Sequence, residues 1–147
     1  MGVGHVPPDP VRPEGEGAHL QGRERRGTAL GRDLAAARAA RGREGEDLAA
    51  RWYVDNGYRI ITRNWRVAIG EVDIIAGMPG LVVFCEVKSR ATDAFGGPLA
   101  AVGLAKQRRL RRLAATWLAT ERPGAVGVRF DVAAITGTTL EMIVAAF

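Results

Sequence analysis

Histidine, cysteine and lysine are the scarce residues of this chain, and each scarcity removes a class of chemistry. The two histidines, His5 and His19, both fall in an N-terminal stretch of Pro, Gly, Arg and Glu, so a folded domain beyond it holds none. That excludes Ser-His-Asp hydrolysis and nucleases that use a histidine base. The single cysteine, Cys85, forms no intramolecular disulfide and is too few for a structural zinc site. Its place in an apolar run fits a reduced, cytoplasmic setting. No run reaches the roughly 18 apolar residues of a membrane-spanning helix. The N-terminus carries Pro, Asp and His where a secretory signal has an apolar segment. Of 21 basic residues only two are lysines, Lys88 and Lys106, and neither follows a glycine, so no phosphate-binding P-loop is present. Any catalysis in such a chain must run on carboxylates, lysine and a hard metal ion.

What is present suffices for one domain: 147 residues, 47% of them hydrophobic, can bury a core. The net charge of +5 points to an anionic partner, nucleic acid before membrane, with a merely soluble basic surface as the other reading. Lysine kept at two places in an arginine-rich chain suggests positions that need a compact ammonium.

Residues 1–41 are expected to be disordered or weakly helical, since they are aperiodic and then alanine-rich. The domain is expected over residues 42–147. Arg43 to Asn56 reads as a helix closed by Gly57, with Leu48, Ala49, Trp52 and Tyr53 as its apolar face. Glu46 falls inside that face. Two readings stay open for it: a site carboxylate aimed at the sheet, or an acid stabilising a helix N-terminus.

Strands are expected over Tyr58–Arg66, Val67–Ala76 and Leu81–Lys88, with Gly77-Met78-Pro79-Gly80 as the turn. Pro98 opens a long helix ending near Thr120, with Leu99, Val102, Leu110, Leu113, Ala114 and Trp117 as its stripe. Lys106 falls within that stripe, either snorkelling out or reaching the carboxylates of the hairpin. Arg108, Arg109, Arg111 and Arg112 form a basic face, either solvated or contacting phosphates together with Lys106. Two last strands, Val126–Ile135 and Leu140–Phe147, follow. The order is α-β-β-β-α-β-β, an α/β fold whose strand-helix-strand crossover makes the sheet mixed.

The hairpin carries the chemistry. Asp73 and Glu71 on one strand, and Glu86 and Lys88 on the next, share a face by the period of two. If Ala76 faces Leu81, then Glu71 faces Glu86, and Asp73 and Glu86 are diagonal neighbours roughly 7–8 Å apart. Carboxylates this close repel one another unless a cation lies between them. Mg²⁺ or Mn²⁺ takes oxygen ligands from one or two carboxylates and leaves room for a phosphate. Lys88 would then stabilise the developing negative charge. Glu71 reads equally as a metal ligand or an exposed acid. Glu86-x-Lys88 alone is a weak signal that also describes a solvated strand pair.

These residues resemble a known family. Gly70-Glu71-Val72-Asp73-Ile74-Ile75 and Phe84-Cys85-Glu86-Val87-Lys88-Ser89-Arg90 are similar to motifs of the YraN-like family of uncharacterised bacterial proteins. Gly42 to Glu46, Asn64-Trp65-Arg66, Lys106 and Arg129-Phe130-Asp131-Val132 match as well. The resemblance implies a restriction-endonuclease-like core in which Asp73 and Glu86 bind Mg²⁺, Lys88 is catalytic and Glu46 is a further carboxylate. Where family members often carry a histidine in the last strand, this chain has Met142. The implied activity is cleavage of DNA, branched or damaged, as in resolvases, which act as symmetric homodimers. The alternative is a non-catalytic nucleic-acid-binding module on the same fold.

Overall fold

Strand β3 (Leu81–Arg90) is the middle strand of a five-stranded sheet, which explains its continuous apolar run. A strand covered on both faces has no solvent side to leave polar. The computed structural model describes residues 17–90, 102–121, 123–124 and 126–147. The elements are α1 (Gly17–Asp55), β1 (Arg59–Val67), β2 (Gly70–Met78), β3, α2 (Leu104–Glu121), β4 (Gly127–Thr136) and β5 (Thr139–Ile143), with the strands side by side in chain order. β3 and β4 pair in parallel across α2, and the other neighbours are antiparallel. The mixed α/β sheet and the element order are those read from the sequence.

By packing, the chain divides into two units, Met1–Ala37 and Arg38–Phe147. Residues 17–37 of the first are helical. Helix α1 therefore begins inside the stretch expected to be disordered or weakly helical, where Ala, Arg, Glu and Leu are all strong helix formers. Its end is where the sequence puts it, at Gly57 with φ +82°. Pro98 and Leu99 lie outside the described residues.

In the second unit the sheet is covered on both faces. Val72, Ile75, Val82, Phe84 and Val132 pack with Leu110, Leu113, Ala114 and Trp117 of α2. Ile74, Ala76, Val83, Cys85 and Ala133 pack with Ala49 and Tyr53 of α1. β3 alternates between these layers, so Glu86 and Lys88 continue the row of Val82 and Phe84 on the α2 side.

The β2–β3 register corrects the expected one. Met78 faces Leu81 and Ala76 faces Val83, a displacement of two residues. Gly77 and Met78 continue the strand, and only Pro79 and Gly80 turn, Gly80 with φ +77°. Gly77 serves packing instead of the turn: a Cβ there would lie 2.9 Å from Ile61 Cδ1, where β1 bulges between Ile60 and Thr62. A two-residue shift by itself preserves which side chains share a face, but alternation in β2 breaks at Asp73, since Val72 packs in the α2 layer and Ile74 in the α1 layer.

Gly45 sets how closely α1 approaches β3. A Cβ there would lie 2.6 Å from Ser89 Oγ and 3.1 Å from Ile135 Cγ1. Gly45→Ala is expected to cost about 1–3 kcal/mol through overpacking, offset by up to ~1 kcal/mol of helix propensity. The midpoint of urea unfolding checks this, and an unchanged or raised midpoint contradicts the close approach.

Candidate functional site

The hydrogen-bonded ladder between β2 and β3 reaches Ile74 and Cys85, and next to its end a side chain makes the link. The backbone N–H of Val87 donates to Asp73 Oδ2 at 2.7 Å. That bond fixes Asp73 beside Glu86, which is only 2% exposed. Lys88, two residues along the same strand, brings Nζ to 2.7 Å from Glu86 Oε1. Lys106, in the first turn of α2, brings Nζ to 2.9 Å from Glu86 Oε2. Among the described residues the fully buried Oε2 has no hydrogen-bond partner, and the Lys106 ammonium is its neighbouring charge.

Glu46, from α1, lies near enough to Asp73 for its charge to act on that carboxyl. Its Oε2 accepts a hydrogen bond of 2.8 Å from Asn64 Nδ2 and lies 3.5 Å from Arg63 Nη2. Arg63 is closer to Asp47, at 2.8 Å. Because α1 starts at Gly17, Glu46 is far from any helix N-terminus, and the capping explanation for it falls away. Asn64 holds this position with φ +52°, a left-handed conformation uncommon outside glycine and best tolerated by Asn and Asp. It lies between the Arg63–Ile74 and Trp65–Val72 pairs of the β1–β2 ladder, opposite Asp73.

Burial, and then repulsion from Glu86, push the Asp73 carboxyl up to about 6. Glu46 adds to the rise, while the Val87 N–H and Lys106 oppose it. Two adjacent carboxylates of this kind bind a hard divalent cation readily, because the cation removes the repulsion that raises Asp73. Among the described residues no three His, Cys, Asp or Glu side chains form a ready cage for an ion. The set suits a cation held by two carboxylates, with water and phosphate completing its shell.

Other expected residues lie elsewhere. Glu71 pairs with Arg66 across β1 at 2.6 Å in an exposed position, and the shifted register removes it from opposite Glu86. Arg108, Arg109, Arg111 and Arg112 are exposed on α2. Arg111 covers the Phe147 ring at 5.2 Å, and the stem of Arg109 packs against Gly70. A cavity of about 600 Å³ opens at the opposite end of β3, among Ile61, Leu81, Trp117 and Val126, and brings no pair of acids together.

A second polar cluster has no functional reading from sequence. Asp131, buried in β4, accepts hydrogen bonds from Arg129 Nε and Nη2, the Tyr53 hydroxyl and the Ala145 N–H, all at 2.8–2.9 Å. Arg129 Nη1 also donates to the Tyr58 hydroxyl at 2.9 Å. An Asp inside an apolar strand, two residues after an Arg, is the signal that could have found it.

A profile of the Uncharacterised protein family UPF0102 matches residues 45–135, a span that contains every member of the Asp73–Glu86 cluster. A UPF0102 protein of Streptomyces griseus is 50% identical over 100 residues, covering 67% of this chain and 84% of the relative. One from Mycobacterium sp. strain JLS is 52% identical over 97 residues, covering 65% and 72%. One from Leifsonia xyli is 49% identical over 90 residues, covering 61% and 76%. The profile covers most of the chain and the relatives are about half identical to it over the matched segments, so the chain belongs to the Uncharacterised protein family UPF0102.

Proposed function

We propose that this chain is a Mg²⁺- or Mn²⁺-dependent nuclease that hydrolyses phosphodiester bonds of DNA, branched or damaged DNA in particular. The observation that carries the reading is the meeting of Asp73, Glu86 and Lys88 from two neighbouring strands at one buried point. A structural ion pair needs one acid and one base. Here two acids are held together and two lysines attend one of them.

Asp73 and Glu86 would hold the cation, and the buried Glu86 Oε2, which faces only the Lys106 ammonium among the described residues, is the oxygen it would take. When bound, Mg²⁺ or Mn²⁺ supplies a Lewis acid for the phosphoryl oxygen and lowers the pKa of water. The chain's own groups do the rest. The Val87 N–H orients Asp73, and Asn64 orients Glu46. The Lys88 ammonium, 36% exposed, lies where a phosphate can meet it and stabilises charge as it develops. The exposed arginines of α2 supply sequence-independent attraction to the DNA backbone.

The test is cleavage of labelled linear and four-way-junction DNA with Mg²⁺ or Mn²⁺, by wild type, Asp73→Asn and Lys88→Ala. Metal-dependent cleavage by wild type alone supports the reading. Equal cleavage by all three defeats it, and DNA binding without cleavage on every substrate replaces it with the binding module.

The raised Asp73 also predicts a pH profile. A carboxyl that takes its proton near pH 6 competes with the cation below that value. Mn²⁺ affinity is then expected to fall by about tenfold per pH unit below about 6. In the metal-free protein the sign is opposite. The folded carboxyl binds its proton more tightly than the unfolded one, so stability falls as pH rises from about 4 to about 6. Calorimetric titration of Mn²⁺ from pH 5 to 7.5 checks the first, and a flat profile contradicts it.

A further inference from the structure

We propose that Lys106 is the counter-cation of the metal-free site, occupying Glu86 Oε2 until a divalent cation takes that oxygen and then turning to the substrate phosphate. The inference rests on the metal-dependent reading and assigns within it a residue that both competes with the cation and recognises substrate.

Both lysines of the chain sit on the same carboxylate, one on each oxygen of Glu86, while the other 19 of the 21 basic residues are arginines. A compact ammonium on a flexible stem can leave one partner for another, which a planar guanidinium holding a fork geometry does less easily. The two contacts differ in origin. Lys88 shares a strand with Glu86 and is held beside it by the period of the backbone. Lys106 comes from α2 and meets Oε2 at 2.9 Å with no shared backbone to hold it there, so its contact is the more exchangeable.

Its place on the helix adds a second reason. Lys106 is in the first turn of α2, where the macrodipole disfavours a cation. An acid there would stabilise the helix and a lysine does not, so it depends on a nearby anion. In the metal-free protein that anion is Glu86. Once a divalent cation has claimed Oε2, the charge that attracts Lys106 is neutralised, and a DNA phosphate is the nearest replacement. The Lys106 side chain is 28% exposed, so it has a path to solvent and to substrate.

The experiment uses the full chain without DNA, and Mn²⁺ as the probe. Lys106→Met keeps the length of the stem and removes the charge. It is expected to bind Mn²⁺ about tenfold or more tightly than wild type, since a neighbouring opposite charge shifts a carboxylate by about one to three units. Lys106→Arg keeps the charge and is expected to stay within about threefold of wild type. With Ca²⁺ in place of Mg²⁺, the slope of log DNA affinity against log salt is expected to be shallower in Lys106→Met by about 0.9, one phosphate contact. Thermal unfolding and circular dichroism of each variant show that it is folded.

Unchanged or weaker Mn²⁺ binding by a folded Lys106→Met overturns the proposal while leaving the metal site standing, provided that wild type binds Mn²⁺ and Asp73→Asn does not. Tighter Mn²⁺ binding with an unchanged salt slope overturns the transfer to phosphate. If wild type binds no Mn²⁺, the nuclease reading and this inference both fall.

Discussion

Lys88→Met is expected to lower the single-turnover rate of DNA cleavage by about 10²–10³-fold, the usual cost of removing one preorganised stabiliser of developing charge. Lys88 does not hold a cation, so Mn²⁺ affinity should not weaken, and the fall should appear in kcat with little change in KM. Asp73→Asn should behave differently. It removes a charged ligand, so Mn²⁺ binding and cleavage are lost together. The distinction follows from geometry: Asp73 is tied to β3 by the Val87 N–H, whereas Lys88 meets only one oxygen of Glu86 and is 36% exposed. Single-turnover cleavage beside calorimetric Mn²⁺ titration separates the two. A Lys88→Met protein that cuts at the wild-type rate removes Lys88 from the mechanism.

The largest effect on stability is expected at Asp131, far from that chemistry in role. Asp131→Ala strips the partner from the Arg129 guanidinium, the Tyr53 hydroxyl and the Ala145 N–H at once. Breaking a buried pair costs more than the pair contributes, because the remaining charge is left without compensation. About 3–5 kcal/mol is expected, a large share of the roughly 5–15 kcal/mol that holds a typical domain folded. Arg129 is raised by its hydrogen bonds to Asp131, and burial pushes the Tyr53 hydroxyl far up, so both remain protonated donors. Tyr53→Phe deletes one of several donors to Asp131 and should cost about 1 kcal/mol. Urea unfolding of the two variants measures the difference. A cost for Asp131→Ala no greater than that for Tyr53→Phe contradicts the cluster as a clamp.

Asp131 also joins elements far apart in sequence. Tyr53 belongs to α1 and Ala145 follows β5, so one carboxylate ties two peripheral segments to β4, and its partner Arg129 adds Tyr58, which precedes β1. Phe147 then stacks on Phe130 at 5.2 Å and the Ala146 N–H donates to the Phe130 carbonyl, which closes the last residues over the sheet. The expected strand Leu140–Phe147 therefore stops at Ile143, where the chain turns back through Ala145 at φ +52°.

The sequence by itself determined whatever depends on a single element. Period-two alternation along β3 placed Glu86 and Lys88 on one face, and the scarcity of histidine, cysteine and lysine left carboxylates and an ammonium as the candidate groups. The stripe of α2 from Leu110 to Trp117 was legible for the same reason, and so was the order of elements.

What joins elements was decided by the tertiary structure. The β2–β3 register moved by two residues because the turn needs only Pro79 and Gly80, and Glu71 then paired with Arg66. Whether Lys106 would snorkel outward or reach Glu86 could not be read from a helical wheel, since both follow from the same angle. Asn64 holding Glu46, and Asp131 gathering Arg129 and Tyr53, span 18 and 78 residues of sequence at their widest. Such contacts depend on how packed surfaces of two faces meet, and local periodicity carries no record of that meeting.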